Sequence, residues 1–362
     1  MRPRDTTVHH TLSFSTNESL RRRFSIGHEK MPANVRWGLL LEVLDKLAEE
    51  VALNYVRRTH VEARVVTAAI DDIILRTPAD IDRDLHLHAR INYVGRTSLE
   101  VGIRVDHDGP NRPSLASCYF TMVCRTGTDD NATSVPVPPL TYVDELEKVR
   151  CASAIAGREA FRTRAAESSQ RPSREEYGIL TELHAAQDES SFRGLLAGDL
   201  VLSSWERMYP EQENVPRKIF GGHLIRRAFE LAVTHAEDIA PDRPVAVCIN
   251  RINFLQPVRI GDKLHFESRV VYTGNTSFCV EIDIRRVSQG NVTRWLSNTC
   301  TFTFVNVDEN MGPRPVPKVY PTTYAEDARY LAAHRRRLRY GVLEGAAGLT
   351  YRSNGRISES LR

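Results

Sequence analysis

The chain has 362 residues, 41% of them hydrophobic and 26% charged, with a formal net charge of +3. That length holds two domains of ordinary size, and that composition can bury real cores. The charge is too small to single out nucleic acid as a partner, and no apolar run reaches the roughly 18 residues a membrane-crossing helix needs; the stretch from Leu39 to Leu47 is broken by Glu42 and Asp45.

Residues 1–27 read as an N-terminal extension. Arg2, Arg4 and Arg21 to Arg23, set among Ser and Thr, resemble a mitochondrial targeting peptide, although Asp5 and Glu18 interrupt it. The cytoplasm is the alternative location. A first unit, 28–127, begins with a helix predicted from Gly38 to about Arg57, because Leu40, Leu41, Leu44, Leu47, Ala48 and Val51 recur at spacings of three and four. Strands follow: Leu85 to Ile91 alternates in part, Gly95 marks a turn, and Tyr119 to Val123 is an aromatic β-run. His86 and His88 fall on one strand face, but nothing nearby completes a metal set, so no metal site is predicted.

Residues 128–200 read as a connector: a loop at Thr128 to Asn131, prolines at 136, 138 and 139, a charged helix from Val143 to about Ser168, and a break at Ser169 to Ser173. The second unit, 201–310, repeats the first. Its helix runs from Gly222 to about Ile239, with Leu224, Ala228, Leu231 and Ala232 on one face, and its strands include Phe278 to Ile284 and Thr301 to Val305. Residues 311–362 form a C-terminal tail, rich in Gly, Ser and Arg and expected to be disordered beyond Tyr340. The basic cluster Arg335, Arg336, Arg337 and Arg339 reads as a solvated face. The six cysteines (Cys118, Cys124, Cys151, Cys248, Cys279, Cys300) form no Cys-x-x-Cys pair and read as buried reduced thiols.

The repeat is explicit. Tyr93-Val94-Gly95-Arg96-Thr97-Ser98 returns as Tyr272-Thr273-Gly274-Asn275-Thr276-Ser277, and Ile70-Asp71-Asp72-Ile73 answers Ile249-Asn250-Arg251-Ile252, all at an offset of 274 − 95 = 179. One long helix followed by several consecutive strands is an α+β unit. An antiparallel sheet wrapped around that helix would bury its apolar stripe, which is the hotdog arrangement. The expected architecture is therefore a tandem (double) hotdog, its two units paired as a homodimer would be.

Ile219-Phe220-Gly221-Gly222-His223-Leu224, preceded by Pro210 and Asn214, resembles the central-helix motif of acyl-CoA thioesterases. The first unit carries a degraded version, Asn34-Val35-Arg36-Trp37-Gly38, with Asp45 seven residues after the glycine. With the turn motif at Val94 to Ser98 and the closing Pro321 to Glu326, the chain resembles the mitochondrial two-hotdog acyl-CoA thioesterases over roughly His10 to Tyr340. The resemblance implies an acyl-CoA substrate, hydrolysis to fatty acid and CoA without a cofactor, and a homo-oligomer, a trimer of double units among the options. It places the acid at Asp45 and amides at Asn34 and Asn214. Arg96 and Asn275 become contacts to the CoA nucleotide.

Chemically, a helix start offers unpaired N–H groups and a partial positive charge to a developing oxyanion. Gly221 and Gly222 let substrate approach that backbone closely, and a carboxylate activates water. Each candidate also has a plainer reading. Asp45 suits a salt bridge with Lys46 or Arg36, Asn34 a helix cap, His223 packing, and Glu230 an i,i+4 pair with Arg226. Lys218 and Phe229 stand in the second unit where acids are expected, so one composite site is expected: Asp45 with Gly221, Gly222 and Asn214, the reciprocal site carrying Trp37 and Phe229 instead. The alternative is an inactive hotdog protein serving as a structural subunit of a larger assembly. Nucleophile-elbow, Walker and dinucleotide motifs are absent.

Overall fold

The computed structural model describes residues 1–340 except 28–33, 108–113, 128–130, 168–170, 216–217, 251, 288–289 and 291–292; side chains are not described at 161–167, 213–215, 218 and 338–340. The tail beyond Tyr340 and the loop at Thr128 to Asp130 lie outside the described residues. In the first unit a short 3-10 turn leads to β1 (Val8–Leu12), α1 (Glu18–Phe24) and the long helix α2 (Trp37–Val56). The strands β2 (Arg64–Ile70), β3 (Ile73–Leu75), β4 (Leu85–Val94), β5 (Ser98–His107) and β6 (Ala116–Thr126) follow, with β7 (Thr133–Ser134) paired to β6. The sheet is antiparallel and its inner residues, such as Leu87, Val101 and Phe120, are buried with Leu40, Leu44 and Val51 of α2. Area removed from water at this seam supplies the driving force, and truncating Leu44 to Ala would cost about 2–5 kcal/mol.

The connector contains two helices, α3 (Glu145–Glu167) and α4 (Arg174–Gln187), and the short β8 (Leu195–Leu196). The second unit comprises β9 (Val201–Arg207), β10 (Glu213–Val215), β11 (Lys218–Ile219), α5 (Gly221–Ile239), β12 (Pro244–Ile249), β13 (Ile252–Asn253), β14 (Lys263–Thr273), β15 (Ser277–Val287) and β16 (Trp295–Asn306). β17 (Val319–Tyr320) and α6 (Tyr324–Tyr340) close the described chain. The repeat holds at atomic detail: Gly95 N–H donates to Ser98 O and Gly274 N–H to Ser277 O, each at 2.7 Å.

The two sheets join into one. β3 pairs with β12 and β2 with β13, setting Ile73 opposite Ile249 and Ile70 opposite Ile252. The repeated Ile-x-x-Ile thus forms the seam between its own two copies. Inside that sheet α2 and α5 lie antiparallel against each other, and one hydrophobic core runs through both units. The tandem hotdog is the architecture of the chain.

Three expectations are corrected. The extension 1–27 supplies β1, which pairs with β4 from Val8↔Ala89 to Leu12↔Leu85; only Leu12 of that strand is buried, so Val8-His9-His10-Thr11 shows no apolar alternation. Phe14 and Phe24 from the same segment enter the core. The tail 311–362 holds α6, whose Tyr330, Leu331 and Ala333 pack with Tyr272 of β14, and Arg335, read as part of a solvated face, pairs with Glu176 at 2.6 Å. All six cysteines are free, and all but Cys151 are buried.

Candidate active site

Asp45 sits midway along α2 among leucines and is fully buried. Thr67 of β2 donates its hydroxyl to Asp45 Oδ1 at 2.6 Å. Oδ2 accepts no hydrogen bond of good geometry among the described residues. That oxygen faces the first turn of α5: a Cβ placed on Gly221 would stand 3.3 Å from Asp45 Oδ2 and 3.0 Å from Phe254 Cζ. One on Gly222 would stand 3.1 Å from the Glu42 Cα. The two glycines therefore allow the start of α5 to touch the middle of α2, where any side chain would fill the space beside the carboxylate.

Burial pushes the Asp45 carboxyl up from 3.8 to about 6. The Thr67 hydroxyl and the Gly222 N–H oppose the rise, Glu42 adds to it and Lys46 offsets it. Desolvation dominates because a charge deep in a leucine-lined helix seam loses water that the Thr67 hydroxyl and the nearby Gly222 N–H only partly replace. The result is a carboxylate that changes protonation state close to neutrality, beside the first turn of α5.

A ring of charge surrounds this pair. Arg226 of α5 reaches Glu42 of α2 at 3.1 Å and Glu230 at 3.1 Å; Lys46 meets Glu42 at 3.1 Å and stacks over Phe220. Burial acts to raise the Glu42 carboxyl, but Arg226 and Lys46 outweigh it and hold the group below its ordinary value.

The sequence model of the thioesterase superfamily matches residues 38–114 and 221–293, one region in each unit. Acyl-coenzyme A thioesterase 9, mitochondrial, of Homo sapiens is 29% identical over 319 residues, spanning 83% of this chain and 71% of that protein. Acyl-coenzyme A thioesterase 2, chloroplastic, of Humulus lupulus is 31% identical over 282 residues, 72% of this chain and 62% of that one. The chain belongs to the two-hotdog acyl-CoA thioesterase family. Among solved structures, an acyl-CoA hydrolase of Staphylococcus aureus bound to butyryl coenzyme A, coenzyme A and coenzyme A disulfide is 28% identical, with a TM-score of 0.37 over 40% of this chain and 90% of that one.

Within this two-hotdog thioesterase the expected residues fall into two groups. Asp45, Gly221 and Gly222 come together. Asn34 does not join them: it forms a β-bridge with Asp80 and lines a cleft at the N-terminal end of α2 with Trp37, Leu75, Phe229, Ala246 and Phe304, in which no lining residue is a carboxylate. Arg36, with no side-chain hydrogen bond of its own to the helix, is the cap of α2, so Asn34 is not the cap either. Asn214 lies on β10, where side chains are outside the described ones.

Glu230 is not beside Asp45. Its carboxylate is held by Arg36 at 2.5 Å, Arg226 at 3.1 Å and Arg227 at 3.3 Å, and its Cγ packs by Gly38. His223 is held by Glu206 at 3.2 Å. Arg96 and Asn275 are exposed at the tips of two different hairpins, and neither is among the atoms nearest Gly221 or Gly222.

Sequence reasoning missed Thr67 and Phe254. A signal for Thr67 exists in the repeat: at the offset of 179 its counterpart is Ala246, just as Phe229 stands where the second unit would carry its acid. The acid and the hydroxyl that holds it are present together in one half-site and missing together from the other.

Proposed function

We propose that the chain hydrolyses fatty acyl-CoA to free fatty acid and CoA at a single composite site, built from Asp45 and Thr67 of the first unit and the start of α5 in the second. The observation that carries this is the buried Asp45 carboxylate, one oxygen fixed by Thr67 at 2.6 Å and the other turned to Gly221. Ionised Asp45 removes a proton from water as the water oxygen bonds to the thioester carbon. The carbonyl oxygen gains negative charge, and N–H groups of the α5 first turn stabilise it, a donor of this kind contributing on the order of 3 kcal/mol. The C–S bond then breaks, and the departing CoA thiolate takes up the proton that Asp45 holds. Thr67 keeps the carboxylate in one orientation throughout.

The resemblance assigns Arg96 and Asn275 to the CoA nucleotide, a role read as a rise in KM on substitution. We also place the protein in mitochondria and in a homo-oligomer of double-hotdog units. Fractionation of the tagged protein and sedimentation of the purified one test those two assignments. Thiol release from acetyl-, octanoyl- and palmitoyl-CoA tests the activity: turnover of at least one is expected, abolished in folded Asp45→Asn. Absence of release from all three by well-folded protein would leave the inactive-subunit reading standing.

A further inference from the structure

Gly221 and Gly222 open the start of α5 in two directions. A Cβ on Gly222 would meet the Phe220 ring and the Glu42 backbone; one on Gly221 would meet the Phe254 ring at 3.0 Å and Asp45 Oδ2 at 3.3 Å. The first direction carries the charges of Glu42, Lys46 and Arg226. In the second an apolar ring stands across from the carboxylate, its rim at the point Asp45 Oδ2 faces.

Backbone contacts on both sides hold Phe254 there. Its N–H donates to Ala68 O at 3.1 Å, one residue beyond Thr67, so the strand that fixes the Asp45 carboxylate also fixes the root of the ring. On the other side Asn298 Nδ2 donates to Asn253 O at 3.0 Å, Leu255 N–H to Ser297 O at 3.2 Å and Ser297 Oγ to Gln256 O at 3.0 Å. The main chain is thereby pinned across the seam of the two sheets. The side chain is only half-buried, so a change of shape at this wall comes from the ring's own torsions.

The other half-site shows what this wall borders. At the helix offset of 229 − 45 = 184, Gly221 and Asp45 answer to Trp37 and Phe229; at the sheet offset of 254 − 75 = 179, Thr67 and Phe254 answer to Ala246 and Leu75. All four counterparts line one cleft of about 70 Å³, although they come from two helices and two strands. Most of its remaining lining is apolar, Val233, Val247 and Met311 included. Such a space suits an acyl chain, not the amides and phosphates of CoA. It is about half the roughly 150 Å³ that takes benzene, room for a few carbons. In the proposed catalytic half-site Gly221 clears the place that Trp37 fills, which makes room for the reacting carbonyl. The acyl side has no such gain, because the larger phenylalanine replaces leucine.

We propose that Phe254 is the specificity-determining residue on the acyl side of the site, its ring admitting acyl groups of a few carbons and turning away longer chains. This rests on the composite site of Asp45, Thr67 and the α5 start. A short apolar group gains by burial against the ring. A longer one meets the ring's edge, and the ring must swing out and give up its packing on Gly221 before the chain can pass.

Thiol release by the full-length protein, read as kcat/KM for acetyl-CoA and octanoyl-CoA, tests the assignment. The octanoyl-to-acetyl ratio is expected to rise about fivefold or more in Phe254→Ala. It should stay within about twofold of the parent in Leu255→Ala, whose side chain one residue away is 63% exposed. Loss of folded protein lowers both rates alike and leaves the ratio unmoved. If Phe254→Ala does not fold, Phe254→Leu, the residue of the other half-site, takes its place under the same criterion. A smaller rise, a fall, or an equal shift in Leu255→Ala overturns the proposal. The same ratio is then read as affinities, by calorimetry in an Asp45→Asn background with and without Phe254→Ala. A parent without turnover whose affinity ratio shifts as expected sinks hydrolysis and keeps Phe254 as the acyl-side wall; turnover with an unmoved ratio does the reverse. Neither turnover by the parent nor binding by Asp45→Asn overturns both.

Discussion

Glu42 and Arg226 hold the same position in their two helices, and they pair with each other across the seam at 3.1 Å. Both lie four residues after the second position of the helix, Gly38 in α2 and Gly222 in α5, so 226 − 42 equals 222 − 38. In a symmetric dimer of identical units this place would bring like charges together. Duplication within one chain let the two copies diverge into opposite charges, which meet across the seam. A double-mutant cycle with Glu42→Gln and Arg226→Gln, read by chemical denaturation, is expected to give a coupling of about 1–2 kcal/mol. Additive effects would show that the pair contributes nothing to the seam.

Asp45→Asn should make the protein more stable while removing its activity. The folded-state pKa of Asp45 lies above its ordinary value, near 6 against 3.8. For an acid shifted upward, the folded state binds the proton more tightly, so stability is fully present below pH 4 and is lost as pH rises towards 6. At pH 7 the ionised carboxylate therefore destabilises the fold by up to about 3 kcal/mol, and the amide relieves much of this while keeping an acceptor for Thr67. Denaturation of the two proteins at pH 4 and pH 7 checks it: their stabilities should diverge with rising pH, and a constant difference would contradict the assignment.

Turnover should follow ionisation of the same group. If Asp45 acts as base, kcat/KM rises through an apparent pKa near 6 and levels above it. Thr67→Val removes the hydroxyl that favours the charged form, so its profile should move to higher pH as well as fall in height. Thr67→Ser should restore both. A Thr67→Val profile of reduced height with an unmoved midpoint would confine the residue to packing.

The frame of this site was legible from the repeat, because periodic leucines and a fixed offset place both helices and both sheets without tertiary knowledge. The grouping of side chains was only half legible. Asn34 carries an amide that the family motif assigns to catalysis, and it flanks the same degraded motif as Asp45. Yet a helix rises about 1.5 Å per residue, which separates Gly38 from Asp45 by roughly 10 Å, and α2 runs antiparallel to α5. Each half-site accordingly combines the start of one helix with the middle of the other, which sends Asn34 to Phe229. Thr67 sits in a β-branched strand where threonine is an ordinary residue, so local pattern alone says nothing about its contact with Asp45. The strand β1 was hidden because its outward residues are histidine and threonine, polar on both sides of the alternation.

Gly221→Ala tests the site with a single methyl group. The added carbon would stand 3.0 Å from Phe254 Cζ and 3.3 Å from Asp45 Oδ2. The Phe254 ring must give way by a few tenths of an ångström, and the methyl would still occupy the place beside the carboxylate that water and thioester need. Alanine is a better helix former than glycine by up to about 1 kcal/mol, so this gain offsets part of the crowding and the fold should survive with a stability change within about 1–2 kcal/mol. Activity should fall far more steeply, by a factor of a hundred or so if about 2.7 kcal/mol of transition-state stabilisation is lost. Steady-state kinetics beside a thermal melt separates the two effects. A variant that melts normally and turns over normally would show that the reacting atoms lie elsewhere than between Asp45 and the start of α5.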